Sequence, residues 1–327
     1  MTPLRFEQLH EPEWTELETL LAGVRDGGAS LLRSRSSLPG DRIAVLYRRA
    51  CEQLALARAR SYPAYLIDRL ERLTSSAHQL IYQRHEFGFG RLKWMIAVDF
   101  PCAVRAHARY VWAAAIAFVL PTVVIGTLVY ARPELILAVV SPETASEFED
   151  MYAASARSIG RTRDADTDWI MFAYYIRNNI GVSFQCFAGG LFAGLGALFF
   201  LAWNGAFAGA LAGYLTERGL SSTFYSFVAT HSAFELTAIV LSGAAGLSIG
   251  HALLAPGRRT RVQALTIATR DSAVILYGVT AMLLVAAAIE AFWSSAGWLP
   301  PIAKYVVAAV CWTFVLAYFL FQGRRAR

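Results

Sequence analysis

Residues 181–215, GVSFQCFAGGLFAGLGALFFLAWNGAFAGALAGYL, run for 35 positions without a charge and hold eight glycines. A helix that crosses the roughly 30 Å hydrocarbon core takes about 20 residues. The run is therefore too long for one crossing and short for two. Trp203-Asn204-Gly205 offers a turn near its middle. The expected solution is two short crossings, 181–202 and 205–216, packed through the small faces of Gly189, Gly190, Gly194, Gly205, Gly209 and Gly213. Only a polytopic helical membrane protein accommodates such a segment.

Four more apolar stretches agree, at 110–131, 223–253, 272–293 and 301–322, with Gly243 and Gly246 as further packing positions in the second of them. The fold class is all-α, with about six transmembrane helices, two of them short and glycine-rich. Charge asymmetry orients them. Arg258, Arg259 and Arg261 make a basic connector and the chain ends GRRAR, while residues 132–177 carry eight acids against five arginines. An acid-rich segment outside, with both termini and the basic connector in the cytoplasm, requires an even number of crossings. Six satisfies this and five does not. The expected location is the cytoplasmic (inner) membrane. Within 132–177 a helix is expected to start near Ser141-Pro142, and residues 168–176 to approach along the outer interface.

Residues 1–109 differ sharply, with 16 Arg/Lys and 12 Asp/Glu, although the whole chain is 56% hydrophobic and only 17% charged. Soluble proteins average about a quarter charged. Residues 1–90 read as a cytoplasmic helical domain of three helices. The first has Leu4, Leu9, Leu17, Leu20 and Leu21 as a rough apolar face. The second shows Ile43, Leu46, Tyr47, Leu54 and Leu56. The third carries a stripe of Leu66, Leu70, Leu73, Ala77, Leu80 and Ile81. A Gly/Ser/Pro-rich connector covers 27–40. The opening residues lack the pattern of a signal peptide, so the first span is expected to act as its own insertion signal. Residues 91–109 mix Trp94, Ile96 and Phe100 with Arg91, Lys93, Arg105 and Arg109, as a basic amphipathic helix lying in the interface would. The net charge of +6 sits beside the spans, where anionic headgroups account for it, and no nucleic-acid module is present. Cys51, Cys102, Cys186 and Cys311 show no disulfide or zinc spacing.

Polar residues in hydrocarbon cost roughly 2.5–3.5 kcal/mol each when ionisable. Four positions stand out: Asn204, at the expected break; His231 and Glu235, four apart on one helix face; and Glu290, near the outer end of the fifth span and within reach of the headgroups. They read either as a buried cluster lining a site or pathway, or as hydrogen-bonded glue between helices. Two histidines flanking a glutamate, as zinc hydrolysis uses, are absent from this stretch. No catalytic residue, metal ligand set or cofactor motif emerges from spacing, and the expectation is a non-enzyme.

The order Asn178-Asn179, the glycine-rich run, Asn204-Gly205-x-x-x-Gly209, His231-Ser-Ala-Phe-Glu235-Leu, Gly243-Ala-Ala-Gly246, Pro256-Gly257 and Ile289-Glu290-Ala-Phe resembles the stage II sporulation protein M (SpoIIM, DUF95) family of integral membrane proteins, over about residues 60–320. The resemblance implies a membrane anchor or scaffold that organises partners in a cell-envelope complex. Relatives in non-sporulating bacteria tend to be encoded near AAA+ ATPases, which implies envelope or AAA+ ATPase-linked partner proteins. Beyond the lipid bilayer, a homo-oligomer is expected on the small-residue faces, a dimer first. The alternative is a transporter or channel with a polar site around Asn204, His231 and Glu235.

Overall fold

The computed structural model describes residues 2–27, 39–82, 89–153 and 168–324, and among them every regular element is helical. Most of the 27–40 connector, the end of the third N-terminal helix beyond Tyr82, the stretch from 154 to 167 and the last three residues of the basic tail lie outside the described residues. The chain divides into two compact units, Met1–Arg91 and Leu92–Arg327.

The first unit comprises α1 (Pro3–Gly27), α2 (Pro39–Ala59) and α3 (Ala64–Tyr82). Phe6, Trp14, Leu17 and Leu21 on α1 meet Ile43, Leu46, Ala50 and Ala57 on α2 and Leu66, Leu70, Leu73 and Ala77 on α3. The buried face of α1 is therefore rotated from the leucine pattern. The rings of Phe6 and Trp14 take the core, and Leu4 and Leu9 are exposed. Leu56 on α2 is exposed as well. The Trp14 indole donates to Gln53 Oε1 at 2.6 Å, which satisfies its buried N–H. Around this core Arg69 bridges Glu11 at 2.7 Å and Glu18 at 3.2 Å.

A helical run, α4 (Phe89–Trp94), a π-helical turn (Met95–Asp99) and α5 (Phe100–Ala106), leads into the second unit. Pro101 sits in the first turn of α5, directly after the π-helical turn. Rather than lying free in an interface, α5 is tied into the bundle. Phe100, Cys102 and Val104 are buried, and the Arg105 guanidinium donates to the Phe319 carbonyl at 2.8 Å.

Among the described residues, five helices are long and apolar enough to cross a membrane: α6 (Ala108–Ala131), α9 (Leu195–Glu217), α10 (Ser221–Leu254), α11 (Arg261–Ile289) and α12 (Pro301–Phe321). A sixth, α8 (Asp168–Ala188), threads the same bundle, though Arg177, Asn178 and Asn179 lower its hydropathy. Side-chain pairs fix the directions. Tyr110 and His251 rings meet at 5.9 Å, so α6 starts where α10 ends, and Arg105 brings the end of α12 to that same basic end. At the other end Trp169 lies 5.0 Å from Phe292, and Thr230 donates to the Lys304 carbonyl at 3.2 Å. Helix α8 then runs to the basic end, where the hairpin that follows it packs its glycines against Gly246 and Gly250 of α10. At 21 residues it spans about 32 Å.

The reversal inside the glycine-rich run is not at Trp203-Asn204-Gly205. Helix α9 passes through those residues unbroken, and the chain turns instead at residues 189–194, through a 3-10 turn (Gly189–Leu191) and a left-handed Gly194 at φ +84°. A residue with a Cβ is strained at that angle, whereas glycine is not. The two crossings are consequently of full length, about 32 and 35 Å, rather than the two short ones expected at 181–202 and 205–216. Hairpin closure also needs glycine for contact: a Cβ on Gly189 would fall 2.8 Å from Ala197 N.

Helices α6 and α9 pack in parallel. Gly205, Gly209 and Gly213 meet Phe118, Thr122 and Gly126 in register, with backbone against backbone. Gly243 receives Leu201 of α9, and Gly246 receives the Cys186 carbonyl. The small faces that suggested a homo-oligomer are thus filled within one chain. Helix α10 is the axis of the bundle, with 61% of its apolar window buried against 11% for α6.

After α6 comes a 3-10 turn (Pro133–Ala138), then α7 (Pro142–Tyr152), whose Ser141 cap accepts from Thr144 N at 3.3 Å as the sequence pattern requires. Tyr152, at the end of α7, is buried edge-on against Phe224 and Phe227, and Thr223 donates to its carbonyl at 2.6 Å. Glu149 accepts from the Tyr214 hydroxyl and pairs with Arg218 at 3.2 Å.

Candidate functional site

At the end of the bundle opposite the basic connector, the helices enclose a set of ionisable groups. His231 and Glu235 share one face of α10, as their spacing requires, with Nε2 and Oε2 3.9 Å apart. Glu290 arrives from the end of α11. There the helix loosens into a π-helical turn (Glu290–Ser294), and such turns recur at functional sites. The wider turn brings both Glu290 and Ser294 inward, with Glu290 9% exposed and Ser294 fully buried. One ligand-type atom from each of His231, Glu235 and Glu290 lies within 4.8 Å of the others.

Further groups orient this triad. The His231 ring stands edge-on to Phe227, and its Nδ1 bonds Ser294 Oγ at 3.1 Å. With the proton on Nδ1, the Nε2 lone pair faces the carboxylates. Lys304, 1% exposed near the start of α12, donates to the Ser294 carbonyl at 2.7 Å, and Thr230 donates to the Lys304 carbonyl. Asn179 of α8, 3% exposed, lies beside Glu235 and Glu290. Asn178 donates to its Oδ1 at 3.0 Å, while its Nδ2 and Glu290 Oε2 are buried without a hydrogen bond of normal geometry. The phenol of Tyr152 completes the surroundings. Burial, then the charges of Glu290 and Glu235, push its pKa well above the usual phenol value.

Of the four polar positions singled out from sequence, His231, Glu235 and Glu290 come together. Glu290 faces inward rather than toward headgroups, because the π-helical turn re-aims it. Asn204 does not join them. It sits mid-helix in α9, donates to its own Phe200 carbonyl at 2.7 Å, and lines a groove of about 410 Å³ with Val182, Gln185, Phe199, Trp203 and Phe207. Asn179, Ser294, Lys304 and Tyr152 were missed. Lys304 carried a usable signal, since a lysine inside an apolar run is costly enough to demand a partner. The glycines are contact points, except Gly194, which serves the turn through its backbone angle. Arg91, Lys93, Arg109, Arg258, Arg259 and Arg261 are exposed, and Arg105 is held by Phe319 and Cys102.

Residues 114–295, more than half of the chain, match the family described as stage II sporulation protein M. The chain belongs to the stage II sporulation protein M family. The matched region takes in all of α8, α9 and α10 and ends just beyond Ser294, so every residue of the cluster except Lys304 falls inside it. The resemblance read from sequence began nearer residue 60. Residues 4–83 instead match a separate domain of unknown function (DUF8413), which coincides with the first compact unit. No curated protein and no solved structure matches the chain.

Proposed function

We propose that this member of the stage II sporulation protein M family is a non-enzymatic membrane scaffold, holding partner proteins of a cell-envelope complex on both sides of the cytoplasmic membrane. One observation carries the reading. The second unit is a bundle locked through glycine backbone contacts, with His231, Glu235 and Glu290 converging inside it, while the first unit has a core of its own and a surface of ion pairs. A rigid anchor with an independent docking domain needs those two properties. The even count of six threading helices supports N- and C-termini on the cytoplasmic side with the basic connector, and α7 outside. An AAA+ ATPase-linked protein is the expected cytoplasmic partner, and a homo-oligomer would have to use faces other than the filled glycine stripes.

The test is affinity isolation of the full chain from native membranes in mild detergent, beside a variant lacking residues 1–91. The scaffold reading expects defined partners at stoichiometric yield, some of them lost with the first unit. Recovery of the chain alone in both cases sinks it. A transporter is the second reading, favoured by the ionisable triad on α10 and α11. Proton or cation flux in liposomes that disappears with Glu235→Gln and His231→Ala would establish it in place of the scaffold.

A further inference from the structure

The triad is an expensive object. Two carboxylates and an imidazole converge among apolar helices, and like charges at such separations cannot both stay ionised without a compensating positive charge. Lys304 does not supply it, since its ammonium is directed at the Ser294 carbonyl. Among the described residues, Arg218 is engaged with Glu149 and Tyr214.

We propose that His231 Nε2 and the carboxylates of Glu235 and Glu290 form a binding site for one divalent transition cation of the zinc type. The donor set is one nitrogen and two oxygens, which suits Zn²⁺ and its first-row neighbours. Mg²⁺ and Ca²⁺ favour all-oxygen shells with more ligands. The charges balance, because a neutral imidazole, two carboxylates and a divalent cation sum to zero. The geometry is close to what the ion requires. Tetrahedral ligands about 2.0–2.2 Å from zinc lie roughly 3.3–3.5 Å from one another. His231 Nε2 and Glu235 Oε2 are 3.9 Å apart and the full set falls within 4.8 Å, so the longest separation must shorten by about 1.3–1.5 Å, shared between two side chains.

The outer partners point the same way. A metal-binding histidine characteristically commits its second ring nitrogen to a hydrogen bond, and His231 Nδ1 is committed to Ser294 Oγ at 3.1 Å. Ligating carboxylates are themselves hydrogen-bonded, and Asn179 Nδ2, buried without a hydrogen bond of normal geometry, stands beside both of them. Glu290 Oε2 is likewise buried without a hydrogen bond of normal geometry. Three helices thus contribute: α8 through Asn179, α10 through His231 and Glu235, and the end of α11 through Glu290 and Ser294. A cation would pin them together at the end where α7 docks. The inference stands whether or not the protein is a scaffold.

The full chain, purified in lipid nanodiscs and stripped with a chelator, is titrated with Zn²⁺, desalted and assayed by elemental analysis, with Mg²⁺ in parallel. The expected result is one zinc per chain, a zinc-dependent rise in melting temperature, and no magnesium retained. Co²⁺ in place of zinc gives the visible bands of a low-coordinate site. His231→Ala, Glu235→Gln and Glu290→Gln lose binding, Asn179→Ala weakens it by about 10–100-fold, and Glu147→Gln, exposed on α7, binds as wild type. Wild type that retains no zinc at micromolar concentration overturns the proposal, as does undiminished binding in the three ligand variants. If a ligand variant fails to fold, the wild-type stoichiometry and cobalt spectrum decide alone.

Discussion

Substituting Gly209 by alanine tests the packing that holds α6 against α9. The added methyl would stand 2.9 Å from both Cα and the carbonyl carbon of Thr122, and nearer still to its oxygen. Carbon atoms in ordinary contact keep about 3.5–4.0 Å. The two helices must therefore part by roughly 1 Å at this point. Gly205 and Gly213, one turn either side, then lose their own contacts with Phe118 and Gly126. Overpacking of this kind costs about 1–3 kcal/mol, against a gain of about 0.5–1 kcal/mol from replacing glycine in a helix. A net destabilisation of about 1–2 kcal/mol is expected. Gly181→Ala supplies the internal control, because nothing lies within 4 Å of the methyl it would add on α8. Only the helix-propensity gain remains there, so the change is neutral to stabilising by up to about 1 kcal/mol. Reversible unfolding in mixed micelles followed by far-UV circular dichroism reads both variants. Equal effects of the same sign would refute the assignment of the α6–α9 contact.

Four other outcomes follow from the structure. Trp14→Ala, which opens a cavity in the core of the first unit and leaves Gln53 Oε1 without its donor, should cost about 3–5 kcal/mol in denaturant unfolding. Acid should weaken that unit at Glu13. Burial works to raise this carboxyl, but hydrogen bonds from Gln53 and Arg49, with the charges of Arg49 and His10, hold it below its usual 4.5. A depressed acid stabilises fully above its unfolded value, so its contribution fades as pH falls from about 4.5 through the folded value, and Glu13→Gln should flatten that part of a circular-dichroism titration. On α7, Tyr152→Ala should destabilise the bundle by about 3–5 kcal/mol, because the ring is buried on Phe224 and Phe227. Glu149→Gln, which weakens an exposed pair with Arg218, should cost under about 1 kcal/mol in the same melting assay.

Much of this architecture was legible in the residues. Uncharged stretches mark the spans, and the Ser141-Pro142 cap marks α7, because those signals are local. The hairpin was misplaced for a physical reason. Trp203-Asn204-Gly205 has turn-forming residues, but in an apolar setting every backbone group needs a partner, and a continuous helix supplies them. The turn falls where Gly194 can take a left-handed angle and Gly189 can touch its neighbour's backbone, which composition alone does not rank. For the cluster, the i, i+4 relation of His231 and Glu235 is visible, whereas Glu290 joins from another helix through a π-helical turn that has no spacing signature. Lys304 lies inside the 301–322 run and so demands a partner, but that partner, the Ser294 carbonyl, sits in the π-helical turn after α11. Asn179 was quoted only as part of a family pattern, because its partners lie on helices α10 and α11.

The parallel pairing of α6 with α9 bears on biogenesis. Thr122 and Gly209 are separated by 209 − 122 = 87 residues of chain. At about 5–20 residues per second of synthesis, the first helix reaches the bilayer roughly 4–17 s before the surface that will cover it exists. During that interval its Phe118–Thr122–Gly126 stripe faces lipid tails, and α8 must already have crossed to bring α9 in from the correct side. A ribosome stalled before Gly205 leaves that stripe bare, which makes nascent chains of this length the species that quality-control proteases of the membrane would meet first.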